Sequence, residues 1–456
     1  LIITYRLLDE QGKKLLPSQF VSDIVILNNN QNKFFQTEIY ENFVDDTITK
    51  TMFLNPTIGA AQKNLSPYNL DSSLIKSAIT SLGFKDIQVA EDVDSVDNGE
   101  EMLKNNVTKI SQIEKYYTCP FAHYVNYGLK LQERKTSKIE ANDFGNFLHE
   151  FAENFAKQSG NELGSLTKQK LNTICTKCFN YLLDKKEYKK LNEEENSVVK
   201  QVLFNEVVRF ADFVNYEQSK TMFKLYKTEY KFADQNAITL QVENNEYSII
   251  GVVDRIDKCD DYFRIIDYKT GNLQSSNSKI DNLYYGTKIQ VYVYLKAISN
   301  VFKVKPFGAF YFPITNAFSE DSDEDYKLHG YFIDDINLAE KADTELNFDN
   351  PKSRFFEAEL SVSKDCLKKN IKKFVKSKNT KQNEFQDMLN YSIKMVEQAI
   401  SQIVKGNIAV SPFEGGCNFC KFASICKKEI KNVAERKATK KITPASFNLQ
   451  EENNGI

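Results

Sequence analysis

The period of the apolar positions changes twice along the chain. From Thr108 a helical pattern runs into Cys119-Pro120, where proline should end or redirect it. A strongly periodic helix is expected at about 142–158, with Phe144, Phe147, Leu148, Phe151 and Phe155 on one face. Two more helices are expected at about 166–185 and 193–218. The period then drops to two. Residues 222–233, 237–243, 247–257 and 262–268 alternate or run apolar in short stretches rich in Ile, Val, Tyr and Phe, which predicts four strands. A helix at about 288–300, a strand at 306–314 and helices at about 366–375 and 384–403 follow. Helices, then a strand meander, then helix and strand make an α/β chain in α+β order, with one central mixed sheet.

Residues 1 to about 105 read differently. A turn-rich opening (Asp9-Glu10-Gln11-Gly12) leads to Pro17-Ser18, and a helix at about 72–82 stops at Gly83. The acidic stretch Ala90–Glu101 has weak periodicity and reads as a linker. From about Lys427 the chain turns basic, then polar, and should fray. The expected domains are therefore 1–105, 106–430 and a polar tail, 431–456.

With 456 residues, 41% of them apolar and including 33 Phe and 23 Tyr, the chain has ample material for a core, which excludes wholesale disorder. The longest apolar runs, Phe20–Leu27 and Ile249–Val253, are far too short to span a bilayer, so no membrane partner is expected. No charged-then-apolar leader with a small-residue cleavage site opens the chain, so secretion is not expected. It begins at Leu1 rather than Met, so a fragment of something longer is expected. A net charge of −2 excludes a uniformly basic nucleic-acid binder but leaves room for a local basic groove. The eight Cys are unevenly placed, which favours metal or redox use over a disulfide framework.

The densest chemistry lies in Gly251-Val-Val-Asp254-Arg-Ile-Asp257 and Ile265-Ile-Asp267-Tyr-Lys269. Asp254 and Asp267 fall on consecutive predicted strands joined by a tight turn at 259–261, so pairing can set two carboxylates side by side. Lys269 shares a strand face with Asp267. Two such carboxylates repel unless a divalent cation lies between them, and hard oxygen ligands favour Mg²⁺ or Mn²⁺. A bare Asp-x-Lys at a strand end is commonly a solvated turn. Here Ile265 and Ile266 bury the strand just before Asp267, which puts the polar pair at the mouth of a buried strand. Gly145-x-x-x-His149 lies on the amphipathic helix, and Gln290-x-x-x-Tyr294 opens the helix after the strands with both groups on one face.

Cys417-x-x-Cys420-x5-Cys426 follows Gly415-Gly416, and Cys119 before Pro120 is the natural fourth ligand. Spacing alone leaves zinc and an iron–sulfur cluster equally open. Cys175 and Cys178 lie mid-helix between Leu171 and Leu182, where free Cys serves as a small core residue; Cys259 and Cys366 read the same way.

Taken together, these residues resemble the RecB-like branch of the PD-(D/E)XK nuclease superfamily. The resemblance covers about residues 108–430. It implies that His149, Asp254 and Asp267 bind the metal, that Lys269 acts at the attacking water, and that Gln290 and Tyr294 face the DNA. A lone Cys before the core and Cys-x2-Cys-x5-Cys after it look like the [4Fe–4S] staple of AddB-type nuclease domains, which belong to AddAB helicase–nucleases. Residues 1–105 would then be the last part of a helicase-like fold, and the expected partners are DNA and an AddA-like protein in a bacterial cytoplasm. No Gly-x4-Gly-Lys-[Ser/Thr] phosphate loop occurs, so ATP hydrolysis is not expected of this chain. The implied activity is processing of double-strand DNA ends for recombinational repair. The alternatives are a shorter stand-alone iron–sulfur exonuclease, an inactive DNA-binding scaffold, and a zinc-stabilised interaction domain.

Overall fold

The computed structural model describes residues 94–448 apart from 132–140, 194–195, 271–278, 315–325, 376–377, 419, 427 and 429–432. The helix expected at 72–82 and residues 1–93 of the expected helicase-like segment lie outside the described residues. The chain divides into two compact units, Leu1–Val93 with Cys417–Ala434, and Asp94–Gly416 with Glu435–Ile456. In the first, Cys417 and Cys420 share a turn through Cys420 N–H and Cys417 O (3.1 Å), ahead of a single helical turn at Ala423–Cys426.

The second unit is a mixed sheet between helices. Strand β1 (Val107–Lys109) leads into helix α1 (Ile110–Thr118), then come α2 (Ala141–Ser159), α3 (Lys168–Leu183) and α4 (Ser197–Lys220). Strands β2 (Lys224–Phe232), β3 (Ile238–Val242), β4 (Asn245–Cys259) and β5 (Tyr262–Lys269) follow, then α5 (Gln290–Phe302), β6 (Lys305–Pro313), β7 (His329–Ile333), α6 (Ile336–Ala342), β8 (Asn379–Thr380) and α7 (Gln382–Val404). The sheet runs β1-β4-β5-β6-β7-β8, with β2 and β3 also pairing along the long β4. β4 and β5 are antiparallel across a turn in which Asp260 takes a positive φ of 52°, a conformation that Asp tolerates. β5 and β6 are parallel, so they need a crossover, and α5 supplies it.

Covered on both sides, β5 is buried from Phe263 through Tyr268, and its charged residues Arg264 and Asp267 are buried with the apolar ones. Helix α2 buries Phe147, Leu148, Phe151 and Phe155, each contributing roughly 1.5–3 kcal/mol relative to exposure. Behind the β4–β5 hairpin, four charges are buried together. Asp257 accepts from Arg255 Nε (2.7 Å) and Arg264 Nε (2.9 Å). Glu217 of α4 accepts from Arg255 Nη2 (2.7 Å) and from Arg264. Two cations thus share two anions, and the hairpin is anchored to α4.

Three differences from the sequence expectations stand out. The helix expected at 366–375 ends after Lys364–Lys369, because Asn370 adopts a left-handed conformation and Phe374 pairs with Leu360 instead. Strands β1, β7 and β8 have no counterpart among the expected elements; they are two to five residues long and show no period of their own. The segment expected to fray from about Lys427 is held in place between Glu435 and Asn448. Phe447 is buried against Tyr391 (5.1 Å between ring centroids), and Arg436 donates to the Ser411 and Tyr117 carbonyls. Two apolar anchors, Ile442 and Phe447, suffice to hold an otherwise polar segment.

Candidate active site

The β4–β5 ladder ends at Arg255–Ile266, one step short of Asp254 and Asp267. There the Asp254 side chain takes over, its Oδ2 accepting the Tyr268 backbone N–H at 2.7 Å. Both carboxylates are therefore held by strand register, and both are buried. Asp267 has its two oxygens separately engaged. Gln290 Nε2 donates to Oδ1 at 2.8 Å, and the Lys269 ammonium lies against Oδ2. Burial pushes the Asp267 carboxyl up to about 6, against the pull of Lys269 and with the repulsion of Asp254. Burial would lower the Lys269 amine, but the Asp267 charge outweighs it and raises it.

His149 comes from α2, with Nδ1 3.4 Å from Asp254 Oδ2. Burial opposes its protonation, yet the bond to Asp254 prevails and raises the imidazole above its ordinary value. The glycine four residues earlier has a steric reason. A Cβ on Gly145 would sit 3.3 Å from Thr270 Oγ1, a tight approach, so the glycine eases the close passage of the helix by the end of β5. Tyr294 is buried, its ring edge-on to Phe232 (5.0 Å) and its hydroxyl bonded to the Val252 backbone. It fills the space left by Gly251, where a Cβ would be 2.7 Å from the Tyr294 oxygen.

One further acid joins the cluster. Glu229 lies on β2 between Thr228 and Tyr230, which pair with Arg255 and Val253, so it stands opposite Asp254. Its φ of 46° is rare for a non-glycine residue and breaks the ladder at that point. Ligand atoms of His149, Glu229 and Asp254 all lie within 4.8 Å of one another. Burial, then the Asp254 charge, push Glu229 up to about 7. Sequence reasoning missed it, since an acidic residue in a half-exposed alternating strand reads as a solvent-facing position.

Among the cysteines, Cys119 caps the C-terminal end of α1 and is buried, while Cys417, Cys420 and Cys426 are half-buried. Burial pushes the Cys175 thiol up to about 12 and Cys178 up to about 11, as inert core residues require. His123, close after Cys119, is fully buried and pushed down to about 3 by burial, hence neutral.

A buried carboxylate pair on adjacent strands, a lysine two residues after the second acid, and a histidine from the neighbouring helix form a cluster that could hold a divalent cation. A profile of the PD-(D/E)XK nuclease superfamily matches residues 110–427, and the chain belongs to that superfamily. Among curated proteins it is similar to the B-type subunit of the ATP-dependent helicase/deoxyribonuclease of Clostridioides difficile (strain 630), 26% identical over 94% of this chain and 41% of that protein. It is likewise similar to the proteins of the same name from Clostridium kluyveri (27% identical, 94% and 41%) and Oceanobacillus iheyensis (24%, 93% and 40%). The chain thus spans about two fifths of the length of these relatives. Among the described residues no helix is long and apolar enough to cross a membrane.

Proposed function

We propose that this chain is the nuclease part of a helicase–nuclease protein and that it hydrolyses DNA phosphodiesters with Mg²⁺ or Mn²⁺. The observation that carries the reading is the convergence of His149, Glu229 and Asp254 beside the Asp267–Lys269 pair. One imidazole and several carboxylate oxygens are a hard donor set, which fits either cation. When bound, such an ion supplies Lewis acidity and charge neutralisation at the phosphoryl group. The protein's own groups do the rest. Asp254 and Asp267 are positioned by strand register, Gln290 fixes the Asp267 carboxylate, and the Lys269 ammonium stands where it can orient an attacking water.

Cys119, Cys417, Cys420 and Cys426 are proposed to hold a [4Fe–4S] cluster. Four thiols suit such a cluster, and the segments leading to two of them run together within the second unit. Phe413 N–H donates to the Thr118 carbonyl at 2.8 Å, and a Cβ on Gly416 would meet the Thr118 methyl at 2.8 Å. Thr118 immediately precedes Cys119, and Gly416 immediately precedes Cys417. The partners implied are linear DNA and a helicase-bearing protein in a bacterial cytoplasm.

The deciding experiment is degradation of linear DNA with and without Mg²⁺, by the parent and by Asp267→Ala. Metal-dependent cleavage lost in the variant supports the proposal. A parent that binds DNA but leaves it intact would instead identify an inactive scaffold.

A further inference from the structure

Glu114 lies on α1, outside the acidic set described above, and is buried. Its Oε1 accepts two backbone N–H groups, from Ile289 at 2.7 Å and Gln290 at 3.0 Å. These open α5, whose own N-cap position, Ile289, offers no capping side chain. The first N–H groups of a helix have no partners within it, and the aligned peptide dipoles make that end positive. A buried carboxylate from another element answers both needs. The first residue of α5, Gln290, then donates its side chain to Asp267 Oδ1 at 2.8 Å. Glu114 is thus tied to Asp267 through one residue, by its backbone on one side and its side chain on the other. The same carboxylate is felt electrostatically by Lys269 and Tyr294.

We infer that Glu114 is a positioning residue for cleavage: it pins the N-terminal end of α5 so that Gln290 holds Asp267 in its working orientation. The inference rests on the nuclease reading of this site. The Glu114 carboxylate is spent on the backbone of Ile289 and Gln290, so most of its effect should pass through Gln290. Helix α1 also ends at Cys119, so one short helix serves both the proposed cluster and the active site.

The test is a double-mutant cycle on Mg²⁺-dependent cleavage of linear DNA. It uses the full chain with any partner protein that co-purifies, and compares the parent with Glu114→Ala, Glu114→Gln, Gln290→Ala and the double alanine variant. Glu114→Ala should lower kcat about tenfold or more with KM little changed, as loss of an outer partner of a ligand does. Glu114→Gln, whose Oε1 can still accept both N–H groups, should recover most of that loss. In the Gln290→Ala background, Glu114→Ala should cost less than about threefold, a coupling that simple loss of packing does not produce. Fully additive losses, or a Glu114→Ala rate close to that of the parent, would overturn the inference. If Glu114→Ala does not accumulate as folded protein, Glu114→Asp, shorter by one methylene, carries the same cycle. Failure of the nuclease reading is distinguishable: the parent itself would not cleave, or Asp267→Ala would cleave as the parent does, and both ideas would go.

Discussion

Asp254 Oδ2 accepts the backbone N–H of Tyr268 at 2.7 Å, carrying the pairing of β4 with β5 one step past the last ladder pair. A carboxylate held this way has little freedom to turn. The cost of burying it beside Asp267 is offset by His149 and Lys269, and a divalent cation would neutralise the pair further.

Removing either half of the Asp267–Lys269 pair should be nearly fatal to activity. Asp267→Ala and Lys269→Ala should each lower cleavage on the order of 10²-fold or more, as for other preorganised electrostatic groups. A rate within a few-fold of the parent, in a variant whose melting temperature is preserved, would refute the site assignment.

Metal affinity should rise with pH. In the metal-free protein, burial raises Asp267 to about 6 and Glu229 to about 7. A carboxyl with a raised folded-state pKa stabilises the fold below its unfolded pKa, and that contribution is lost as pH climbs through the folded value. The raised His149 acts with the same sign. The metal-free protein should therefore lose stability between about pH 4 and 7, and cations should bind best above that window, once the protons have left. Mn²⁺ or Mg²⁺ should raise Tm more at about pH 8 than at about pH 5.5, and Glu229→Gln should flatten that difference. An equal shift at both pH values would count against ligation by these acids.

Glu217→Ala should destabilise the fold without touching the site directly. It strips Arg255 and Arg264 of a shared anion while both remain buried, which costs about 3–5 kcal/mol. Burial favours the neutral acid, yet the two guanidiniums hold Glu217 down to about 2, so its contribution is present at neutral pH and fades only in strong acid. Denaturant unfolding of the variant at neutral pH measures it.

Anaerobically purified protein should contain iron and absorb broadly near about 400 nm, the region expected of thiolate-bound clusters. Cys119→Ala should abolish the absorbance and Cys175→Ala should not, since Cys175 is buried among apolar neighbours. Stoichiometric zinc without iron in a colourless protein would exclude the cluster and leave the nuclease proposal standing on the acidic site.

Much of this molecule is legible along the chain. The period of 3.6 in α2 and the alternation in β3 reflect burial on one side, a local property that residue order records directly. Asp254, Asp267 and Lys269 are legible because they lie on two strands joined by a tight turn, where register follows from proximity. What the linear order determines, then, is the element types of the nuclease core, its apolar faces and the neighbouring carboxylates. Tertiary structure alone brings Glu229 to His149 and Asp254, since that depends on its pairing opposite Asp254 and on a left-handed φ that no residue type announces. It alone sets Glu114 on the end of α5, a contact between elements far apart in sequence. It also divides the roles of the Gln290–Tyr294 pair, which share a helix face but differ in depth: Gln290 reaches Asp267, while Tyr294 is buried in the space that Gly251 leaves open. Periodicity encodes which side of an element is covered. Only the packed fold decides what covers it.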